Sequence, residues 1–471
     1  MLNSFIIGFS EECSFPEIIE KLEKDYVIKV CEWVVTKNRG TIDLMDFYHG
    51  KEFLKKEIKH RVPKKLYSDL YKYFFEFCYV NSRTFLSHKF NNRLRGNIHE
   101  DVHEFNKFLY LIYSIFIEKR IELVLFQEIP HDGAEIILYR IAKAMNIETV
   151  ILANLPHFWG RTMIFKDEQD YGNFHNNPKL SDVEKKFELD LKDFKDGIFY
   201  MKNIFGYQQK LLHLNEMLKK IRIRYTIKLF FRFLTSKSSL NKTQLKLTNI
   251  LQQYYHCLEY KNNIESMVSK PDYSKRYIYF ALHLDPEIPT MPILANEYTD
   301  QLLAIEELRQ KIPQNIMIYV KENPKQTDIF RPQSFFDRIK KLENVKLVND
   351  NTYKLIDGSC FVATISGTVG WEAIISGKNV VLFGKSWYQN FSGAFLFNKN
   401  FNFDEVLNYK IDKKTLNSSL KKFLEKTSRG MIYFDFSNKA IKITDIYPEY
   451  NRSKNIEYLA NSLKKIIGTQ K

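Results

Sequence analysis

The chain contains few cysteines, and they are scattered along it. Its 471 residues include five, Cys13, Cys31, Cys78, Cys257 and Cys360. Their number is odd and no two form a Cys-x-x-Cys pair, which argues against a disulfide framework and against a cysteine-based zinc site. The sequence also lacks an Asp-x-Asp motif of the kind that holds a metal ion. We therefore predict no metal centre.

Long apolar runs are missing as well. No stretch reaches the roughly 20 apolar residues that a membrane-spanning helix needs. The first nine residues lack the basic region and the cleavage site of a signal peptide, so we expect the protein to stay in the cytoplasm. With 44% hydrophobic residues, the chain is long enough for two domains that each bury a core.

Acidic residues do not balance the basic ones, and the formal net charge is +15. A basic surface suits nucleic acid, an anionic membrane face or an anionic substrate. No helix-turn-helix, zinc-finger or RNP pattern is present, so we predict that nucleic acid is not a partner. Because the lysines are spread along the whole chain, an ordinary solvated basic surface explains the charge equally well.

One stretch of the C-terminal half predicts an anion-binding corner. The pattern there predicts a strand at 359–365, a turn formed by Ser366, Gly367 and Thr368, a helix at 370–376 ended by Gly377, and a second strand at 379–383. At the start of a helix, unpaired N–H groups and the helix dipole attract the same anion. We predict that the turn binds phosphate, and the alternative is an ordinary tight connection between strand and helix.

A second polar turn lies in the N-terminal half, between a predicted strand at 122–126 and a predicted helix at 134–145. It contains Gln127, Glu128, His131 and Asp132. Open α/β sheets bind ligands beyond the carboxyl ends of their strands, so we predict catalytic roles for Glu128, Asp132 and His131. In the structural alternative Asp132 or Gly133 caps the helix, which leaves Glu128 and His131 unexplained.

Polar residues also follow the predicted strands of the C-terminal half. His283 follows a strand at 277–282, and Lys321 follows a strand at 317–320. In a doubly wound sheet these strand ends meet Ser366 at one edge. That convergence predicts a nucleotide-type ligand.

The alternation of strands and helices predicts four regions. They are a Rossmann-like domain at 1–181, a helical insertion at 182–270, a second Rossmann-like domain at 271–445 and a C-terminal helix at 446–471. In the first, residues 154–175 are predicted to form a loop over the edge of the ligand cleft, with His157 in it. In the insertion, the basic and aromatic segment Lys219–Leu234 suits the surface of an anionic membrane. A helix packed between domains with its charged ends in solvent is the alternative.

The C-terminal half resembles the bacterial capsule polysaccharide biosynthesis family. The resemblance rests on FALHLDPE, DQLLAIEEL, IYVKENPKQ and ATISGTVGWEAIISGKNVVLFGKSWY, and it is dense over residues 277–388. FQEIPHDG and LYRIAKAMNI in the first half are similar to the acceptor-side domain of the family. The resemblance implies a GT-B fold, in which two Rossmann-like domains face each other across a cleft.

The resemblance also implies an activity. Members of this family include retaining glycosyltransferases that use CMP-Kdo, and similar enzymes use CMP-pseudaminic acid. A donor of this kind carries one bridging phosphate and a sugar carboxylate, so hydroxyl, N–H and lysine donors suffice and we predict no cofactor. The acceptor is expected to be an oligosaccharide or a lipid-linked glycan. The expected donor-binding residues are His283, Glu287, Lys321, Glu322, Asn323, Pro324, Ser366, Gly367 and Thr368.

One position departs from the family pattern. Relatives often have His-Pro after the Lys-Glu pair, whereas this chain has Asn323 and Pro324. Asparagine keeps a hydrogen-bond donor but carries no charge. Two other classes of function fit the same residues: an enzyme of GT-B fold that uses a UDP-sugar, such as an epimerase, and a non-catalytic protein of polysaccharide assembly or of the membrane surface.

Overall fold

Two β-sheets organise the chain, each surrounded by helices, in a computed structural model. The structure describes residues 1–8, 15–35, 42–43, 47, 53–87, 98–155, 160–172, 207–219, 240–285, 287–327, 331–432 and 451–468. The elements up to residue 165 are β1 (Leu2–Ile7), α1 (Phe15–Lys24), β2 (Ile28–Val35), β3 (Ile42–Asp43), α2 (Lys64–Tyr71), α3 (Phe74–Ser87), α4 (Ile98–Lys119), β4 (Leu123–Phe126), α5 (Gly133–Ala144), β5 (Glu148–Asn154) and β6 (Arg161–Phe165).

The remaining elements build the second sheet and the C-terminus. They are α6 (207–219), α7 (Leu240–Met267), β7 (Tyr277–Ala281), α8 (Gln301–Lys311), β8 (Met317–Lys321), α9 (Gln333–Lys341), β9 (Val345–Leu347), α10 (Thr352–Gly358), β10 (Val362–Thr364), α11 (Thr368–Ile375), β11 (Val380–Leu382), β12 (Ala394–Leu396), α12 (Phe403–Asn408), α13 (Lys413–Leu424), β13 (Ser428–Arg429) and α14 (Arg452–Gly468).

Both sheets have the strand order of a Rossmann-like domain. The first runs β3-β2-β1-β4-β5 with parallel pairing and continues with β6 and β13, which pair antiparallel. The second runs β9-β8-β7-β10-β11-β12 and is parallel throughout. Strands covered by helices on both faces are apolar without alternation, as the entirely buried Leu123–Phe126 illustrates. The predicted α/β class with two Rossmann-like domains is confirmed.

Residues 161–165 correct one prediction. We expected a loop over 154–175, but Arg161–Phe165 forms β6, whose five residues are all buried. It pairs antiparallel with β5, from Ile151 opposite Phe165 to Asn154 opposite Thr162. Pairing with a neighbouring strand stabilises a segment whose own pattern has no regular period. His157, which we placed in the loop, lies outside the described residues.

The C-terminus returns to the first domain. Ser428 pairs with Thr162, so the chain joins the first sheet ahead of the domain boundary predicted at 445. Helix α14 then packs on α1, and its Leu459 and Leu463 join one apolar core with Ile18. The predicted C-terminal helix is thus a structural part of the N-terminal domain.

Hydrogen bonds join the two domains at several points. The Tyr79 hydroxyl on α3 donates to the carbonyl of Thr299 at 3.2 Å. Gln389 Nε2 donates to the carbonyl of Tyr171 at 2.9 Å, and Asn390 Nδ2 donates to that of Gly172 at 3.2 Å. The last two contacts fix the segment after β6 against the segment after β11.

The predicted insertion is helical where it is described, in α6 and α7. Residues 220–234 of the basic segment lie outside the described residues, so its predicted membrane contact stays a prediction. Within the described part of the chain, no helix combines the length and apolarity needed to cross a bilayer.

Candidate functional site

Each sheet has a point where its strand order reverses, and the predicted site residues lie at both points. In the second sheet the reversal is between β7 and β10, and His283 and Ser366 follow these strands. In the first it is between β1 and β4, and Glu128 follows β4. At such a point the loops leave the sheet in opposite directions and open a crevice for a ligand.

The turn after β10 is held in place from two sides. Gly367 is the N-cap residue of α11, and its carbonyl accepts a hydrogen bond from the Tyr388 hydroxyl. A Cβ atom on Gly367 would lie 2.7 Å from Cε1 of His283, so only glycine fits there. The hydroxyl oxygen of Ser366 is buried and has no hydrogen-bond partner among the described residues. An unsatisfied hydroxyl beside a helix N-terminus suits an anionic ligand.

His283 is buried against this turn, with 7% of its surface exposed. Its Nε2 accepts the backbone N–H of Ser366 at 3.1 Å and lies 3.1 Å from the hydroxyl of Thr364. Burial first, and the charge of Arg331 second, lower the pKa of His283 to about 4. The imidazole is therefore neutral at physiological pH.

Arg331 was not predicted as a site residue, yet it ties together three residues that follow strands of the second sheet. Its Nε and NH2 atoms donate to the carboxylate of Glu322 at 2.8 and 3.2 Å. Its NH1 lies 3.4 Å from Asp285 Oδ2, and its NH2 donates to the carbonyl of His283 at 3.2 Å. Glu322, predicted as a donor-binding residue, is thus engaged by an arginine, and its predicted contact with a donor remains untested.

Lys321 points towards the start of α10. Its Nζ donates to the carbonyl of Asp350 and to the hydroxyl of Thr352, both at 2.8 Å. Burial lowers the pKa of Lys321 to about 8, against the opposing effects of Asp350 and Glu372. Two of its three N–H donors are thus committed to the protein.

Glu372 is a second candidate site residue that was not predicted from the sequence. It lies on α11, four residues after Thr368, and only 2% of its surface is exposed. Its Oε1 has no hydrogen-bond partner among the described residues. Burial raises the pKa of Glu372 to about 8, although the charge of Lys321 acts in the opposite direction. The available signal was one carboxylate within the otherwise apolar run WEAII.

The remaining predicted donor-binding residues lie in two loops of the second domain, one after β7 and one after β8. Asn323 Oδ1 accepts the backbone N–H of Lys325 at 3.0 Å, which shapes the turn that contains Pro324. Glu287 is exposed, and its backbone N–H donates to the Thr290 hydroxyl at 3.1 Å. These hydrogen bonds therefore shape the backbones of the two loops.

The loop after β4 combines a helix cap with an ionic cluster. Asp132 is the N-cap residue of α5, as the structural alternative predicted. The carboxylate of Glu135 accepts the backbone N–H groups of His131 and Asp132 at 2.9 and 3.2 Å. This reciprocal arrangement is a capping box, which fixes the entry of the chain into the helix.

His131 is oriented within this cluster. Its Nδ1 donates to the carbonyl of Ile129 at 2.9 Å, and its Nε2 lies 3.9 Å from Oε1 of Glu128. Burial opposes the charge of this imidazole, but the carboxylates of Glu135, Glu128 and Asp132 outweigh it and raise its pKa to about 9. At neutral pH an imidazolium faces Glu128, whose side chain is 26% exposed.

The structure thus assembles two groups of predicted residues. His283, Ser366 and Gly367 are in contact, and Glu128, His131 and Asp132 share one loop. In the described part of the chain, no cluster of three or more His, Cys, Asp or Glu side chains could hold a metal ion. The predicted absence of a metal and of a cofactor stays a prediction.

Comparison with known families identifies the second domain. Residues 295–427 match the model of the family described as capsule polysaccharide biosynthesis protein. This segment of the second domain is similar to that family. It includes Lys321, Glu322, Arg331, the Ser366–Thr368 turn and Glu372, so much of the candidate site of the second domain lies within it.

Distant structural likenesses extend along most of the chain. The beta Kdo 2,7 transferase KpsC of Thermosulfurimonas dismutans is 10% identical, with 98% of this chain and 99% of that chain covered and a TM-score of 0.34. The UDP-GlcNAc 2-epimerase of Methanocaldococcus jannaschii is 14% identical, with 96% and 100% covered and a TM-score of 0.22. The comparison with curated proteins found no relative.

Proposed function

We propose that the protein is a glycosyltransferase of bacterial surface polysaccharide synthesis, for capsule or O-antigen. It transfers an ulosonic acid, Kdo or a pseudaminic-type nonulosonic acid, from its CMP-sugar to a glycan acceptor, with retention of configuration. The observation that carries the proposal is the Ser366 turn, whose hydroxyl lacks a partner among the described residues at the start of α11. The match of residues 295–427 to the capsule polysaccharide biosynthesis family supports it.

The donor site is assigned to the second domain. In this proposal the Ser366 hydroxyl and the first N–H groups of α11 bind the phosphate of the donor, because both donors meet at the end of β10. Lys321 and Lys325 balance the negative charges of the phosphate and the sugar carboxylate. A single bridging phosphate needs fewer positive charges than a diphosphate does.

In this proposal Glu372 accepts a hydrogen bond from a hydroxyl group of the donor. A buried carboxylate oxygen without a partner costs free energy, and a hydroxyl donor from a ligand removes that cost. Glu372 suits this role better than Glu322, because Arg331 already donates to both carboxylate oxygens of Glu322.

The reacting carboxylate is assigned to the first domain. Retention by double displacement requires a carboxylate that attacks the anomeric carbon as CMP leaves, and a base that takes the proton of the acceptor hydroxyl. Glu128 is the better placed carboxylate, since it is partly exposed and faces the His131 imidazolium, whereas Asp132 is buried as a helix cap.

A panel of nucleotides tests the proposal directly. We expect CMP to raise the melting temperature of the purified full chain, and UDP, UMP and AMP to do so less or not at all. Stabilisation by UDP alone would overturn the CMP assignment and favour a UDP-sugar enzyme. No stabilisation by any nucleotide would favour a non-catalytic role in polysaccharide assembly.

Location at the membrane is part of the same proposal. We propose that the protein acts in the cytoplasm and contacts the inner face of the cytoplasmic membrane, where lipid-linked acceptors are found. The support is the composition of the segment Lys219–Leu234, whose basic and aromatic residues alternate as in helices that bind anionic membrane surfaces.

A further inference from the structure

The hydrogen bonds around His283 assign a tautomer to its ring. A backbone N–H can only donate, so the 3.1 Å contact from Ser366 requires an unprotonated Nε2. The Thr364 hydroxyl, 3.1 Å from the same nitrogen, also lies 3.2 Å from the carbonyl of Ala281, to which it donates. A neutral ring of this kind carries its proton on Nδ1.

The backbone of His283 is held as firmly as its ring. The side-chain amide of Gln301 on α8 accepts its N–H at 2.8 Å and donates to its carbonyl at 3.3 Å. Arg331 donates to the same carbonyl at 3.2 Å. Three elements of the domain thus converge on one residue that packs against Gly367 of the turn.

No charged group near His283 stabilises an imidazolium, because the nearby cation repels it and the nearby carboxylates are paired with that cation. Arg331 is the cation beside it, and Glu322 and Asp285 are bound to that arginine. From α8, β10 and the turn, the groups in contact with His283 are the neutral Gln301, Thr364 and Ser366. Protonation at Nε2 would place one N–H donor against another and push the turn away.

We propose that His283 is a positioning residue: a neutral hydrogen-bond acceptor that sets the Ser366–Gly367 turn for the donor phosphate and is held in place by Arg331 and Gln301. Its significance for catalysis rests on the proposed function of this turn. His283 does not itself supply positive charge to the phosphate. Its Nε2 accepts the backbone N–H of Ser366. The donors that remain for the phosphate are therefore the Ser366 hydroxyl and the backbone N–H groups of the residues after Ser366.

The first test reads the ring directly in the unliganded protein. Long-range proton–nitrogen NMR of the full chain with labelled histidine, compared with His283→Gln for assignment, reports the tautomer at each pH. We expect a protonated Nδ1 and an unprotonated Nε2 from pH 7.5 down to about pH 5. An imidazolium at pH 7, or a proton on Nε2, would overturn the proposal whether or not the protein binds CMP.

The second test asks whether His283 acts as a hydrogen-bond acceptor or only fills space beside the turn. His283→Gln keeps an acceptor near the position of Nε2, whereas His283→Leu removes it and leaves the Ser366 N–H unpaired. We expect His283→Leu to weaken CMP binding roughly tenfold or more and His283→Gln to retain binding within a few-fold at pH 7.5. Thr427→Val is the control, because it removes a buried hydroxyl that donates to the carbonyl of Leu424 and contacts neither the turn nor the Arg331 network.

The same variants predict a difference in pH dependence. Because the pKa of His283 is depressed below its unfolded value, the unfolded chain binds a proton between about pH 6.5 and pH 4 while the folded chain does not. The free energy of unfolding of the wild type should therefore fall as the pH drops through this window, more steeply than that of His283→Gln. Equal slopes, or equally weak CMP binding in the Gln and Leu variants, would contradict the proposal. If the wild type binds no nucleotide while the NMR result holds, the proposed function fails and the positioning of the turn stands.

Discussion

Glu322 and Arg331 form a buried ion pair with two hydrogen bonds, 2.8 and 3.2 Å long, at the end of the second sheet. Arg331 is 3% exposed and also reaches Asp285 and the carbonyl of His283. This pairing determines which carboxylates remain for a ligand. Glu322 is committed, whereas Oε1 of Glu372 has no partner among the described residues.

The donor turn gives the first prediction. Ser366→Ala and Thr368→Val should each weaken CMP binding by about 1.5–3 kcal/mol, roughly 10- to 150-fold, because each removes a hydrogen bond to a charged phosphate. Isothermal titration calorimetry measures the affinity, and circular dichroism checks the fold. Ser359→Ala is the matched control, since this buried serine donates to the Ile356 carbonyl at the end of α10, away from the turn. Unchanged affinity in both variants would mean that the turn is only structural.

Glu372→Gln should separate stability from binding. The raised pKa of Glu372 means that the unfolded chain releases this proton near pH 4.5 and the folded chain only near pH 8. The wild type therefore loses stability as the pH rises through this window, and Glu372→Gln should not. Denaturant unfolding at pH 5 and pH 8 measures the difference, with the exposed Glu457→Gln as control.

Binding is the second half of that prediction. Although Glu372→Gln is expected to be at least as stable as the wild type at pH 8, it should bind CMP or the CMP-sugar more weakly at that pH, because an amide oxygen is a weaker hydrogen-bond acceptor than an ionised carboxylate. A variant that gains stability and loses affinity is typical of a functional residue whose burial destabilises the free protein. Full affinity in Glu372→Gln would remove it from the donor site.

The loop after β4 gives a prediction about catalysis. Glu128→Gln keeps the shape of the side chain but removes its charge, and it should abolish sugar transfer while CMP-sugar binding persists. Asp132→Ala should lower the free energy of unfolding by about 1 kcal/mol through the loss of the helix cap, and Asp132→Asn should keep the cap. Transfer assays and equilibrium unfolding measure these effects. Near wild-type transfer by Glu128→Gln would direct attention to Asp132 and Glu287.

The basic segment gives a prediction about location. The chain should bind anionic liposomes weakly and in a salt-sensitive way, since each basic residue near the surface contributes about 1 kcal/mol. Neutralising four residues together should abolish co-sedimentation: Arg222, Arg224, Lys228 and Arg232. The control neutralises four exposed lysines elsewhere: Lys340, Lys341, Lys413 and Lys414. A wild type that fails to co-sediment at low salt would assign the segment another purpose.

Several features of the fold and the candidate site followed from the sequence alone. The strands near residues 123–126, 277–281 and 317–321 were predicted because continuous apolar runs and the turn residues beside them are local signals. The turn at Ser366 was predicted for the same reason, and the cap at Asp132 was given as the structural alternative to a catalytic role, since a cap and its helix lie within a few residues. The family resemblance was carried by equally local motifs, and the match at residues 295–427 confirmed it there.

Other features were decided by contacts between residues far apart in sequence. Glu322 pairs with Arg331 because the loop that contains Arg331 folds back towards the end of β8. No local sequence pattern predicts how close these two side chains come. The strand β6 exists because β5 and β13 pair with it, and β13 comes from residues more than 260 positions later in the chain. Local propensity determined the elements of this protein, whereas burial and long-range pairing determined which polar side chains remain available at its site.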